Sequence, residues 1–187
     1  MVYKEKYYKK ALIVFGLLFI FLSSIELFNI FLLLATQINL YGKKMLFQEF
    51  IFNSTYVSLS GTLIFIFLIS SICFFFIIGL LLLKLSSRKI DNKSRAKSML
   101  MFGILILIFS FMKLGYITLL GRTEITIGGK LKTFQHIIFS ANLAPFYVVV
   151  IWLFFTGVVC YYLMVGLVFG ALGLHWILEL EKEEAVD

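Results

Sequence analysis

The chain has 187 residues, of which 61% are hydrophobic and 14% charged, against roughly 45–50% and about 25% in a soluble domain. That gap, with a mean hydropathy of +1.03, excludes an ordinary globular enzyme. The 22 Phe, 9 Tyr and single Pro exclude a disordered tail or a collagen-like rod.

Four stretches are long enough to cross a bilayer, which takes about 20 mostly apolar residues at 1.5 Å rise each. The first, residues 11–35, follows Lys4, Lys6, Lys9 and Lys10 and holds one charge, Glu26. It is too long for the apolar region of a cleavable signal peptide, and no A-x-A-like site follows it, so a retained anchor is predicted. Residues 62–83 hold no charge, and residues 98–120 hold one, Lys113. Residues 146–178 exceed one straight span, so their last third should tilt or emerge at the inner boundary. His175 and Trp176, followed by Glu179, Glu181, Lys182, Glu183 and Glu184, mark that exit, since Trp belongs in the headgroup zone. No soluble core needs helices apolar on every face over such lengths. The expected fold class is an all-α integral membrane protein: a four-helix transmembrane bundle forming one domain over residues 1–187.

Lys and Arg in the loops set the orientation. One side carries the four N-terminal lysines, then Lys84, Arg88, Lys89, Lys93, Arg95 and Lys97 in the 84–97 loop, and Lys182. The other carries Lys43, Lys44, Arg122, Lys130 and Lys132. The first side is therefore expected to be cytoplasmic, with both termini, in a multi-pass protein of the cell membrane. The net charge of +7 becomes topological. Anionic lipid headgroups are the expected partner at the inner basic loop, not nucleic acid.

The outer segments are residues 36–61 and 121–145. In the second, Thr123–Ile127 and Lys130–Phe134 alternate polar and apolar residues about Gly128-Gly129, a hairpin signal because Gly supplies the positive φ of a primed turn. The first offers Ile38–Tyr41 and Met45–Phe47 around Gly42-Lys43, then Thr55–Ser60. A lone hairpin is marginal in water, so both segments are expected to pair as one small sheet. Asn53-Ser54-Thr55 is a glycosylation acceptor on the expected outside. The layout resembles that of claudin-like tetraspan proteins. Their outer-loop run of Trp-x-x-Gly-Leu-Trp and their Cys pair are absent from both outer segments, so no family is assigned.

Catalytic motifs are lacking. Cys73 and Cys160 lie deep in spans, form no C-x-x-C and read as small packing groups. His136 and His175 fall on opposite sides, which does not suit a haem held by two histidines of one chain. No H-E-x-x-H, Gly-rich phosphate loop or G-x-S-x-G occurs, so neither metal nor cofactor is expected.

The sharpest feature is a polar layer. Glu26 and Lys113 both sit roughly 10–14 Å below the outer boundary, near the middle of a ~30 Å core. Ser23 and Asn29 flank Glu26 at i−3 and i+3, and Ser110 and Tyr116 flank Lys113 likewise; those spacings place each trio on one helix face. Ser70, Ser71 and Thr156 fall at the same depth. A lone charge there costs at least ~2.5–3.5 kcal/mol, so the two should pair. The charges read as a structural tie, as part of a proton, ion or headgroup path, or as partners for another subunit. Gly166, Gly170 and Gly173 in the last span offer a close-packing face for a helix of the same chain or for a homo-oligomer. The sequence thus favours a non-enzymatic structural, scaffold or accessory subunit. A small oligomeric transporter comes second, and a membrane enzyme acting on lipid or quinone third.

Overall fold

In a computed structural model the four apolar stretches are helices, each longer than the stretch that marks it. They are α1 (Val2–Ala35), α3 (Leu59–Ser87), α4 (Asn92–Arg122) and α6 (Phe146–Glu184). Between α1 and α3 come β1 (Gln37–Leu40), β2 (Lys43–Leu46) and the short α2 (Phe47–Ile51). Between α4 and α6 come β3 (Glu124–Ile127), β4 (Lys130–Thr133) and α5 (Phe134–Phe139). The structure describes residues 2–40, 42–87, 91–127 and 130–184, with side chains from residue 7 to residue 182 of these.

Each long helix satisfies its own backbone, which is what hydrocarbon demands of a spanning segment. All four are long and apolar enough to cross a membrane. Phe21, Phe31, Phe111, Met164 and Leu167 stand exposed; in a bilayer that is lipid contact. The helix ends run past the apolar stretches because the flanking Lys, Glu and Ser residues continue the helix at little cost. At 1.5 Å per residue, α6 is about 58 Å long, so part of it lies beyond a ~30 Å core.

The chain divides into two compact units, and every long helix contributes a segment to each. The first unit comprises Met1–Ser24, Phe74–Phe111 and Cys160–Asp187. Here Phe19, Phe75 and Tyr162 stack, with Tyr162 5.0 Å from Phe19 and 4.0 Å from Phe75. Trp176 is buried and stacked on Tyr8 at 4.2 Å. The reason is local: α1 begins at Val2, so Tyr8 is already helical and offers Trp176 a ring face.

The second unit comprises Ile25–Cys73 and Met112–Val159 and holds all four strands. Two hairpins are present, with Gln37 opposite Leu46 in one and Glu124 opposite Thr133 in the other. They form two separate two-stranded sheets rather than the single sheet expected. Among the described residues one isolated bridge, Val57 to Ile125, links the segment between α2 and α3 to the second hairpin. The expected strand over Thr55–Ser60 does not form. Asn53 Oδ1 accepts the Thr55 N–H at 2.9 Å and curls the chain into a turn. The first hairpin turns at Gly42, whose φ of +92° suits glycine. Tyr41 and the Gly128-Gly129 turn lie outside the described residues. Beneath the hairpins α2 and α5 bury Phe47, Phe50 and Phe134, with Phe134 5.7 Å from Phe47 and 5.9 Å from Trp152.

Candidate functional site

Glu26 shares a face of α1 with buried Ile30 and Leu33; Lys113 shares a face of α4 with buried Ile117 and Leu120. Those spacings of three, four and seven turn each charge inward with the apolar stripe that packs the helix. The Lys113 ammonium donates to Glu26 Oε1, and both side chains have zero exposure. Both belong to the second unit. In a low-dielectric interior, each charge strongly attracts the other, and losing one would strand its partner.

The flanking polar residues do not all gather on this pair. Ser23, in the first unit, exchanges a hydrogen bond with the Tyr162 hydroxyl at 3.1 Å. Ser110 is buried and donates to the Ile106 carbonyl at 2.6 Å. Asn29 is half-buried, and Tyr116 is half-buried and stacked on Phe67 at 5.8 Å. Ser70, Ser71 and Thr156 donate to carbonyls of their own helices, those of Ile66, Leu68 and Trp152. The expected layer is therefore an ion pair, a hydroxyl pair and a set of back-bonded hydroxyls. Ser and Thr inside an apolar helix satisfy themselves on the carbonyl three or four residues back. Tyr162 was not among the expected polar residues, because a Tyr-Tyr pair in an apolar span does not reveal which ring turns inward.

Gly166, Gly170 and Gly173 of α6 lie against α4 of the same chain. A Cβ on Gly173 would lie 2.5 Å from the Leu100 nitrogen, and one on Gly166 would lie 2.8 Å from Leu107 Cγ. Gly170 has open space where its own Cβ would go, but its backbone is approached by Gly103, where a Cβ would meet the Gly170 nitrogen at 2.4 Å. Gly103 therefore completes the contact, although spacing within α6 could not have pointed to a residue on α4. At Gly103, Gly166 and Gly173 these approaches leave no room for a side chain, as helix association without a hydrophobic drive requires.

Cys73 and Cys160, expected to be buried in the packing, are both exposed. Their helices turn them outward because bulkier Ile72, Phe75 and Val159 occupy the inward positions beside them. His136 is exposed with Nε2 2.9 Å from Lys132 Nζ, and His175 lies 3.4 Å from Glu179. Among the described residues no three His, Cys, Asp or Glu side chains come together as a metal site. Asn53 is exposed. Chemically, the arrangement offers a neutralised, fully buried ion pair and, in the same unit, a set of hairpins and short helices. No protein-family model matches the chain and no curated protein or solved structure does, so the chain stands as a protein with four helices long and apolar enough to cross a membrane.

Proposed function

We propose that this protein is a non-enzymatic multi-pass membrane subunit, a structural, scaffold or accessory component of the cell membrane. One observation carries the reading: Glu26 and Lys113 pair at zero exposure. A carrier of protons or ions must present its titratable group to water on at least one side, whereas a structural tie is best sealed. Burying both charges together avoids the insertion cost that either would meet alone. Both termini and the 84–97 loop lie on the cytoplasmic side, where its Lys and Arg meet anionic headgroups. A homo-oligomer or larger membrane complex supplies the partner, and Asn53, exposed on the outer side, is open to glycosylation in a host that performs it. The orientation is checked by labelling. Once Cys73 and Cys160 are replaced by Ser, a cysteine at Lys43 reacts from outside intact cells and one at Lys93 does not. The reverse pattern would invert the topology.

A second reading, a small oligomeric transporter, is favoured by the presence of ionisable residues inside the spans at all. Proteoliposomes separate the two. The scaffold reading expects the same proton and ion leak from wild-type and Glu26→Gln vesicles. Flux that disappears in Glu26→Gln would establish the transporter instead.

A further inference from the structure

Element for element the chain repeats itself: α1, β1, β2, α2 and α3 are followed by α4, β3, β4, α5 and α6. The shift is the 87 residues that separate Glu26 from Lys113. At that shift both strands of each hairpin coincide residue for residue. So do Gly16 with Gly103, Ser23 with Ser110, Thr36 with Thr123, Phe47 with Phe134, Cys73 with Cys160, and Gly79 with Gly166. Local bonds repeat as well. Phe47 N–H donates to the Thr36 carbonyl, and Phe134 N–H to that of Thr123, both at 2.8 Å.

The two repeats also meet symmetrically. Asn39 N–H donates to the Leu143 carbonyl at 2.8 Å, and Thr126 N–H to the Tyr56 carbonyl at 3.3 Å. Asn39 and Thr126 are equivalents, as are Tyr56 and Leu143, so each hairpin bonds the other repeat's loop. Such reciprocity is the mark of an isologous, two-fold interface. Near a two-fold axis a residue touches its own equivalent, and among the described residues two such pairs are seen. In the second unit these are Glu26 and Lys113; in the first they are Phe75 and Tyr162, with rings 4.0 Å apart. The equivalence also accounts for Ser110. Ser23 bonds the Tyr162 hydroxyl, but the counterpart of Tyr162 is Phe75, which has none, so Ser110 turns to its own helix.

We infer that the chain is two fused copies of one two-span unit, and that Glu26 and Lys113 determine the specificity of the interface between them. In an unfused pair this position would set identical side chains face to face. Opposite charges make each half accept the other half and reject its own kind in a second molecule, where Glu would meet Glu and Lys would meet Lys. The inference does not depend on whether the pair conducts.

Full-length variants purified in mild detergent test both parts. If the positions are equivalent, the charge-swapped Glu26→Lys/Lys113→Glu chain presents the same pair from the other side. It should melt within about 4 °C of wild type, while either single change melts about 10 °C lower or fails to accumulate. A swapped chain no better than the singles would overturn the equivalence. Glu26→Met/Lys113→Met keeps the interface apolar and removes the charge rule. It should melt close to wild type yet show, at high concentration, a species of twice the wild-type mass, formed by pairing of like halves between molecules. A Met/Met chain with the wild-type mass distribution, or one that does not fold, would overturn the specificity role.

Discussion

In the unit built from Met1–Ser24, Phe74–Phe111 and Cys160–Asp187, helices meet through glycines and stacked rings; in the unit that carries the hairpins, they meet across a buried ion pair. Lipid tails are as apolar as the side chains they touch, so helices gain little by merely leaving them. Glycine contact gains from dispersion summed over close atoms. A charge pair instead penalises separation, because either member alone is stranded in an apolar medium. The first mechanism is graded and the second is close to all-or-none.

The difference predicts a ranking of effects. Lys113→Met strands the Glu26 carboxylate and should cost about 3–5 kcal/mol, read as a loss of detergent melting temperature. Gly103→Ala places a Cβ against the Gly170 backbone, which cannot swing aside, and should cost about 1–3 kcal/mol. Its control is Gly157→Ala, where the added Cβ meets nothing within 4 Å; that change should be neutral or gain up to about 1 kcal/mol from helix propensity. If the two alanines behave alike, close approach is not what holds the first unit. Tyr162→Phe keeps the ring stack and removes the partner of the Ser23 hydroxyl, a loss of about 0.5–1.5 kcal/mol on the same melt.

The mildest effect lies at the start of α4. Asp91 accepts the Ser94 N–H at 2.9 Å, and hydrogen bonds from Ser94 hold its carboxyl below the ordinary value. A depressed carboxyl supports the folded state above its unfolded value of about 4 and ceases to as pH falls through the lower folded value. Protection of the Ser94 amide against hydrogen exchange should therefore hold at pH 6 and fall below pH 4. In Asp91→Ala it should be low at both.

How much of this was legible in the sequence varies with the size of the signal. The four spans are written in composition, because long uncharged runs have few other readings. Their ends are not, since Lys, Glu and Ser continue a helix as readily as they end it. The hairpins follow from glycine and alternation, but α2 and α5 are too short for periodicity, and Phe47 and Phe134 reveal their burial only in the fold. The ion pair follows from counting depth in two spans that run the same way. The destination of Ser23 depends on which of Tyr161 and Tyr162 turns inward, which no local pattern fixes. The 87-residue repeat is present in Thr36/Thr123 and Phe47/Phe134, yet chance matches of Leu, Ile and Phe along any shift obscure it until the elements align.

The central claim is that Glu26 and Lys113 form a static structural tie, and a double-mutant cycle on thermal stability tests it most directly. Glu26→Gln, Lys113→Met and the double variant are melted beside the wild type in one detergent. A structural pair predicts that the double variant is far more stable than the two single losses would sum to, with a coupling of roughly 2–3 kcal/mol, within the range for residues in contact. Additive losses would contradict it.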